Sequence, residues 1–274
     1  MDNLFIGIKM DFNIPLDIFQ EIFQASDFLT KIRFRQSCKF LYNFLQIIDF
    51  YNIEHKYLIK LTDDILKNHK YIKCLNAGDN SKIIDISWMI SLKELNACDN
   101  CGIDQMGIKG LNLIKLNVSF NKKITDVSWM TNLKKLKISG SSRIDQTGIK
   151  GLDLIKLFVE YNPKIKDVSW MQNLKELGAS GNCGIDQTGI KGLDLIKLFV
   201  EYNPKIKDVS WMQNLKELNA SNDCGINQLG IQGLNLIGLY AQDNPKIKDV
   251  SWMKNLKKLN ASNDSGIKNW NLWR

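Results

Sequence analysis

Histidine is nearly absent from this chain: His55 and His69 are the only two in 274 residues. Both lie in one short linker, away from any Ser-Asp or Cys grouping that would need an imidazole as its base. No phosphate-binding glycine loop and no paired-carboxylate cleft stands out, so the sequence points away from an enzyme and from any cofactor. Long apolar runs are missing too. No segment approaches the ~20 consecutive apolar residues of a membrane span, which excludes that class. Met1–Met10 carries Asp2 and no basic stretch ahead of an apolar run. It does not read as a secretory signal, and an intracellular location is expected. Six cysteines in 274 residues are too sparse for a secreted disulfide scaffold, so reduced thiols are expected. Cys98-x-x-Cys101 has no second pair and no nearby histidine. Cys101, Cys183 and Cys224 share one repeat position with Ser142 and Ser265, as small structural residues would.

The net charge of +8 is uneven. Residues 1–70 hold nine basic and nine acidic side chains, and residues 71–274 hold 28 against 20. The excess lies in the second region and permits an acidic partner without requiring one.

That second region is periodic. Trp88, Trp129, Trp170, Trp211 and Trp252 stand 41 residues apart, and Ile144–Leu177 recurs unchanged as Ile185–Leu218. Each unit splits in two, so anchor leucines (Leu75, Leu95, Leu116, Leu136, Leu157, Leu177, Leu198, Leu218, Leu239, Leu259) advance by 20 and 21 residues in alternation. This resembles leucine-rich repeats. Alternation at Leu157 and Val159 predicts a short strand with one apolar face. Stacked, ten such strands form a parallel sheet on the concave side of a curved solenoid, extending on the order of 45–50 Å. Asn80, Asn121, Asn162, Asn203 and Asn244 follow the strands, where an amide can satisfy the turning backbone. Ile165, Val168 and Met171 are expected to close the core from the convex side. Asp167 and Ser169 are expected to cap a short helical turn there, and Gly148/Gly151 and Gly189/Gly192 to make tight turns. The tryptophans are expected to pack in the structure.

Upstream, Pro15 suits a helix start, and Ile18, Phe19, Ile22 and Phe23 form an apolar stripe. Asp27 is expected to cap a second helix carrying Phe28, Leu29 and Ile32. A third stripe runs through Cys38, Leu41, Tyr42 and Leu45. The stretch Ile14–Phe44 resembles an F-box, matching at Pro15, at Ile22 and Phe23 seven and eight residues later, and at Cys38 and Lys39. It departs with Ile14 for Leu, Ser37 for Val and Leu41 for Trp.

The resulting expectation is an α/β chain: a three-helix F-box-like module over 1–48, a linker with a Thr62-capped helix over 49–70, and the solenoid over 71–274. Ile267, Trp270, Leu272 and Trp273 are expected to close its far end. The combination resembles the F-box/leucine-rich-repeat proteins of giant, mimivirus-like DNA viruses. That resemblance implies a Skp-family adaptor and cullin ubiquitin-ligase complex as partner, contacted through Pro15, Ile18, Phe19, Ile22, Phe23 and Leu29. It also implies a target protein on the repeats, a setting in the host cytoplasm or nucleus, and no oligomer beyond that complex. Target contacts are expected on the concave face at Phe120, Lys156, Phe158, Glu160, Tyr161, Lys197, Phe199, Glu201, Tyr202 and Tyr240, because exposed aromatics make binding hot spots. Two other readings stay open. The helical module could act only as a solenoid cap. The lysine row (Lys122/Lys123, Lys164/Lys166, Lys205/Lys207, Lys246/Lys248) could meet RNA.

Overall fold

The computed structural model describes residues 16–37 and 45–268. An eleven-stranded parallel sheet, ordered β1 to β11 as in the chain, carries the fold. Strands β2 (Cys74–Asn76), β3 (Glu94–Asn96), β4 (Lys115–Asn117), β5 (Lys135–Lys137), β6 (Lys156–Phe158), β7 (Glu176–Gly178), β8 (Lys197–Phe199), β9 (Glu217–Asn219), β10 (Gly238–Tyr240) and β11 (Lys258–Asn260) are the ten turns of the repeat. Each has an anchor leucine at its centre, and pairing sets leucine against leucine from Leu75↔Leu95 to Leu239↔Leu259. A slip by one residue would turn every leucine to solvent, so the apolar pattern fixes this register. Val159 and its equivalents are buried with the leucines, and Ile165, Val168, Met171 and Leu174 close the core from the other side.

The buried asparagines do what their position suggests. Asn162 Nδ2 donates to the carbonyls of Ile138 (3.0 Å) and Ile144 (3.3 Å), and its Oδ1 accepts from Lys164 N at 3.0 Å. Asn121, Asn203 and Asn244 repeat the set. In the 21-residue turns the extra residue (Asn182, for example) is exposed, and the buried place passes to Cys101, Ser142, Cys183, Cys224 or Ser265. Cys183 Sγ donates to Ala179 O at 3.2 Å. Burial pushes the thiols of Cys101, Cys183 and Cys224 up to about 11. They are protonated packing residues. The five described cysteines are free, and no described group of three or more His, Cys, Asp or Glu side chains could hold a metal.

On the far side, Asp167 and Ser169 close a turn through Ser169 N donating to Asp167 Oδ1 at 2.9 Å, and no helix forms at the expected place. Short 3-10 turns occur instead one half-unit away, at Thr147–Ile149, Thr188–Ile190 and Leu229–Ile231. Gly189 lies within one of them and Gly192 follows it. A Cβ at Gly189 would overlap the Lys166 carbonyl, and Gly192 has φ +77°. Four of the five repeat indoles reach back one turn, as Trp129 Nε1 donates to Leu111 O at 3.0 Å and Trp252 Nε1 to Leu234 O at 2.9 Å, whereas Trp88 Nε1 donates within its own turn to Asp85 O at 3.1 Å.

The glutamines of the Asp-Gln pairs, and of Asn227-Gln228, are a further set of ties. Gln187 Oε1 accepts from Lys207 N (2.8 Å) and Asp208 N (3.0 Å), while Nε2 donates to Asp208 O at 2.9 Å. Gln105, Gln146 and Gln228 do the same. Each amide completes a backbone ladder where no strand exists.

The chain start is closed by more than the expected helix. A two-residue strand, β1 (Asp49–Phe50), pairs with β2. Helices α1 (Leu16–Ala25) and α2 (Phe28–Ser37) precede it; α3 (His55–Leu58) and α4 (Asp63–Lys67) follow. Asp27 Oδ1 accepts from Thr30 N at 3.0 Å, and Thr62 Oγ1 caps α4 by accepting from Ile65 N at 3.3 Å. Asp63, in α4, accepts from Ile84 N (2.9 Å) and Asp85 N (3.2 Å), taking the place that glutamine fills in later turns. Helix α2 lies against this end through Phe28 and Phe50, 5.5 Å apart in an edge contact, and through Arg35 Nη1, 3.1 Å from His69 Nδ1. Most of the third helical stripe lies outside the described residues, as do Trp270, Leu272 and Trp273. Ile267 is buried at the far end.

Candidate interaction surface

The first and third residues of each strand face away from the core, and their columns make the open face of the sheet. Lys156, Phe158, Lys197, Phe199 and Tyr240 stand on it, and Glu160 and Glu201 follow two residues beyond Phe158 and Phe199. These seven of the ten expected target residues thus share one side of the sheet, and Phe120, Tyr161 and Tyr202 lie in the turns that follow the strands. In the first column three lysines pair with a glutamate of the adjacent strand, with Lys156 Nζ–Glu176 Oε2 at 2.6 Å, Lys197 Nζ–Glu217 Oε2 at 2.7 Å and Lys115 Nζ–Glu94 Oε1 at 2.6 Å. Glu160 accepts from the Ser139 hydroxyl, and burial pushes its carboxyl above the usual range. Its copy, Glu201, accepts instead from Asn219 Nδ2 at 2.5 Å. Identical residues differ here because Gly178 stands beside Glu160 where Asn219 stands beside Glu201.

Four residues past each leucine the backbone is left-handed in every turn. Asp79, Asp99, Asn222, Asp243 and Asn263 hold φ between 53° and 60°, and Gly140 and Gly181 hold 66° and 64°. These are residues that tolerate that conformation. Phe120, Tyr161 and Tyr202 do not belong to that class, yet hold φ of 59°, 58° and 56°. For a bulky L-residue this costs on the order of 1–2 kcal/mol. These residues remain 50%, 56% and 49% exposed, so about half of each large side chain is left facing solvent. Phe120 lies across Gly140 and Tyr161 across Gly181, where a Cβ would overlap the ring. The Asp/Asn/Gly column was available in the sequence as a signal for this conformation.

Lysine charges are divided between structural and free roles. Lys123 Nζ (3.1 Å to Cys101 O), Lys205 Nζ (2.8 Å to Cys183 O) and Lys246 Nζ (2.8 Å to Cys224 O) donate to the preceding turn, which gives half of the row a packing role. On the open face, Lys135 and Lys137 were missed as site residues. Their ammonium groups stand 5.9 Å and 4.9 Å from the centroid of the Phe158 ring.

Of the residues expected to contact an adaptor, Pro15 lies outside the described residues, and Ile18, Phe19 and Ile22 are placed on α1 by its backbone. Phe23 is 2% exposed and belongs to the core, so in this conformation it packs rather than docks. Leu29 is half-buried on α2. No helix among the described residues is long and apolar enough to cross a membrane.

Neither a family model nor a curated protein sequence matches the chain. Among solved structures it is similar to an internalin, inlF, from Listeria monocytogenes, with 19% identity and a TM-score of 0.50 over 80% of this chain and 68% of that one. Together with the leucine register, this likeness gives the chain the fold of a leucine-rich repeat solenoid.

Proposed function

We propose that the protein is a non-enzymatic interaction scaffold that holds a protein target on the open face of its sheet. The observation that carries this reading is the row Phe120, Tyr161 and Tyr202. Strained backbone persists where surroundings or function retain it. Here the strained residues are large, exposed aromatics, the side chains that dominate protein interfaces. The variant pair Tyr161→Gly and Tyr202→Gly tests it: glycine removes the strain, so the fold is kept while target binding falls at least tenfold. Unchanged binding to a target recovered with the wild-type chain would overturn the reading.

We further propose that the N-terminal helices recruit a Skp-family adaptor and its cullin ubiquitin ligase, inside a eukaryotic host. The repeats would then bring a target close to ligase subunits that carry the chemistry. This rests on the F-box resemblance of Ile14–Phe44, supported by the Asp27 cap between α1 and α2. Mixing the full chain with a purified Skp-family protein tests it: a one-to-one complex that Ile22→Asp abolishes is expected, and no complex would sink it. A second reading, the module as a cap, is favoured by Phe23 in the core and by the Arg35–His69 contact. On that reading, deleting residues 1–48 unfolds the repeats.

A further inference from the structure

We infer that the open face over β4–β6 is a docking site for an acidic protein segment, whose carboxylates meet Lys135 and Lys137 while an apolar side chain covers Phe158. The inference deepens the scaffold reading and rests on it. The repeat itself is the control. In the first column of the sheet, Glu94, Glu176 and Glu217 stand beside lysines and pair with them. Lys135 occupies the same repeat position, so Lys115, Lys135 and Lys156 lie side by side in adjacent strands. In the third column Lys137 stands where Asn96, Gly178 and Asn219 stand in equivalent turns. Lys258 departs likewise in the first column of β11, beside Asn260 in the third; only in β5 do both departures fall in one turn.

Like charges directly opposite one another destabilise a sheet. Lys115 and Lys156 have carboxylate partners at 2.6 Å. Among the described residues neither Lys135 nor Lys137 is in an ion pair, although the Glu176 carboxylate acts on Lys135 and the Glu160 carboxylate on Lys137 from farther off; their shared feature is the ring of Phe158. Burial, then the charges of Lys137 and Lys156, holds the Lys135 ammonium below its usual range. An incoming carboxylate would relieve that repulsion and gain two charge-assisted contacts.

The size and surroundings of the cluster favour protein over nucleic acid. It spans two strand spacings, about 10 Å, enough for two or three acidic side chains. Glu94 and Glu176 flank it, and Glu160 and Glu201 follow along the face. A nucleic-acid strand needs a basic groove that tracks successive phosphates, and these carboxylates would oppose it.

The test uses the full chain and a fluorescein-labelled octapeptide, Glu-Glu-Phe-Glu-Glu-Phe-Glu-Glu, followed by anisotropy at low salt. Saturable binding is expected, at least tenfold tighter than for the same peptide with Gln for Glu and for a labelled decauridylate. The double variant K135E/K137N gives this turn the residues its neighbours already carry, so folding is kept, as circular dichroism would verify. It is expected to weaken binding at least tenfold. K166Q/K207Q, on the lysine row, is expected to change binding less than twofold. Absence of saturable binding, binding indifferent to K135E/K137N, or tighter binding of decauridylate would each overturn the inference. Because Tyr161→Gly and Tyr202→Gly leave Lys135 untouched, failure here is distinguishable from failure of the scaffold reading.

Discussion

Replacing Asn203 with alanine removes three backbone contacts at once: Ile185 O and Lys205 N lose their partner, and Ala179 O keeps only the Cys183 thiol. The amide donates to Ala179 O at 2.8 Å and Ile185 O at 3.1 Å and accepts from Lys205 N at 3.0 Å, and the side chain is fully buried. A buried polar group left without its partner costs roughly 1–3 kcal/mol. Two of them give a loss of about 2–6 kcal/mol, a large part of the total stability of a typical domain, about 5–15 kcal/mol. The matching position one turn earlier is Cys183, whose thiol makes only weak contacts, donating to Ala179 O at 3.2 Å and accepting from Asn203 Nδ2 at 3.6 Å. Cys183→Ala should therefore cost only about 1 kcal/mol. Urea denaturation followed by circular dichroism measures both, and hydrogen exchange locates the damage. Since each turn touches only its neighbours, protection should fall first in the turns next to Asn203. A loss below about 1 kcal/mol for Asn203→Ala would refute the assignment of the ladder as a principal tie between turns.

Other expectations follow from the same contacts. Gln187→Ala removes three bonds, but on an exposed face where water replaces the amide, so a loss of about 1 kcal/mol in urea denaturation is expected. Tyr161→Gly, which trades a strained aromatic for a residue suited to φ 58°, should leave stability within about 1 kcal/mol of wild type; a larger loss in a thermal melt would mean that the ring chiefly packs. Burial, then the Arg35 charge, holds the His69 imidazole down to about 4, whereas in an unfolded chain it titrates near its usual value of about 6.5. Between those values the unfolded chain binds the extra proton. Stability is then full above pH ~6.5 and is lost as pH falls toward ~4. His69→Gln should flatten that part of a pH–stability profile, and a slope unchanged by the substitution would exclude His69 as its source.

The solenoid was legible because its physics is local and repeated. Leu157 with Val159 announces a strand face, Asn162 announces a satisfied turn, and Thr62 announces a capped helix, each within a few residues. Features that depend on a neighbouring turn were harder to read. Gln187 is an ordinary surface residue until Lys207 and Asp208 are placed beside it. Lys135 looks like one lysine among many until the register sets it between Lys115 and Lys156. Strand β1 escaped notice because Asp49–Phe50 lacks the leucine pattern and pairs only because β2 offers it an edge. In α2 the buried positions include Lys31 and Arg35, long side chains that cover apolar surface, where an apolar stripe through Leu29 and Ile32 was expected.

The ties between turns also determine the unit by which such a molecule can lengthen. Gln146 of one turn clamps the backbone of Lys166 and Asp167 in the next, Trp170 reaches back to Leu152, and Asn162 reaches back to Ile138 and Ile144. These bonds join a 21-residue turn to the 20-residue turn after it. A lone turn, inserted or deleted, would set glutamine against glutamine and leave asparagine facing the wrong carbonyls. A pair of turns brings its partners with it and presents unchanged ends to its neighbours. The unchanged recurrence of Ile144–Leu177 as Ile185–Leu218 therefore needed no compensating change elsewhere. The length of the binding face can vary in steps of 41 residues while every interior contact stays the same.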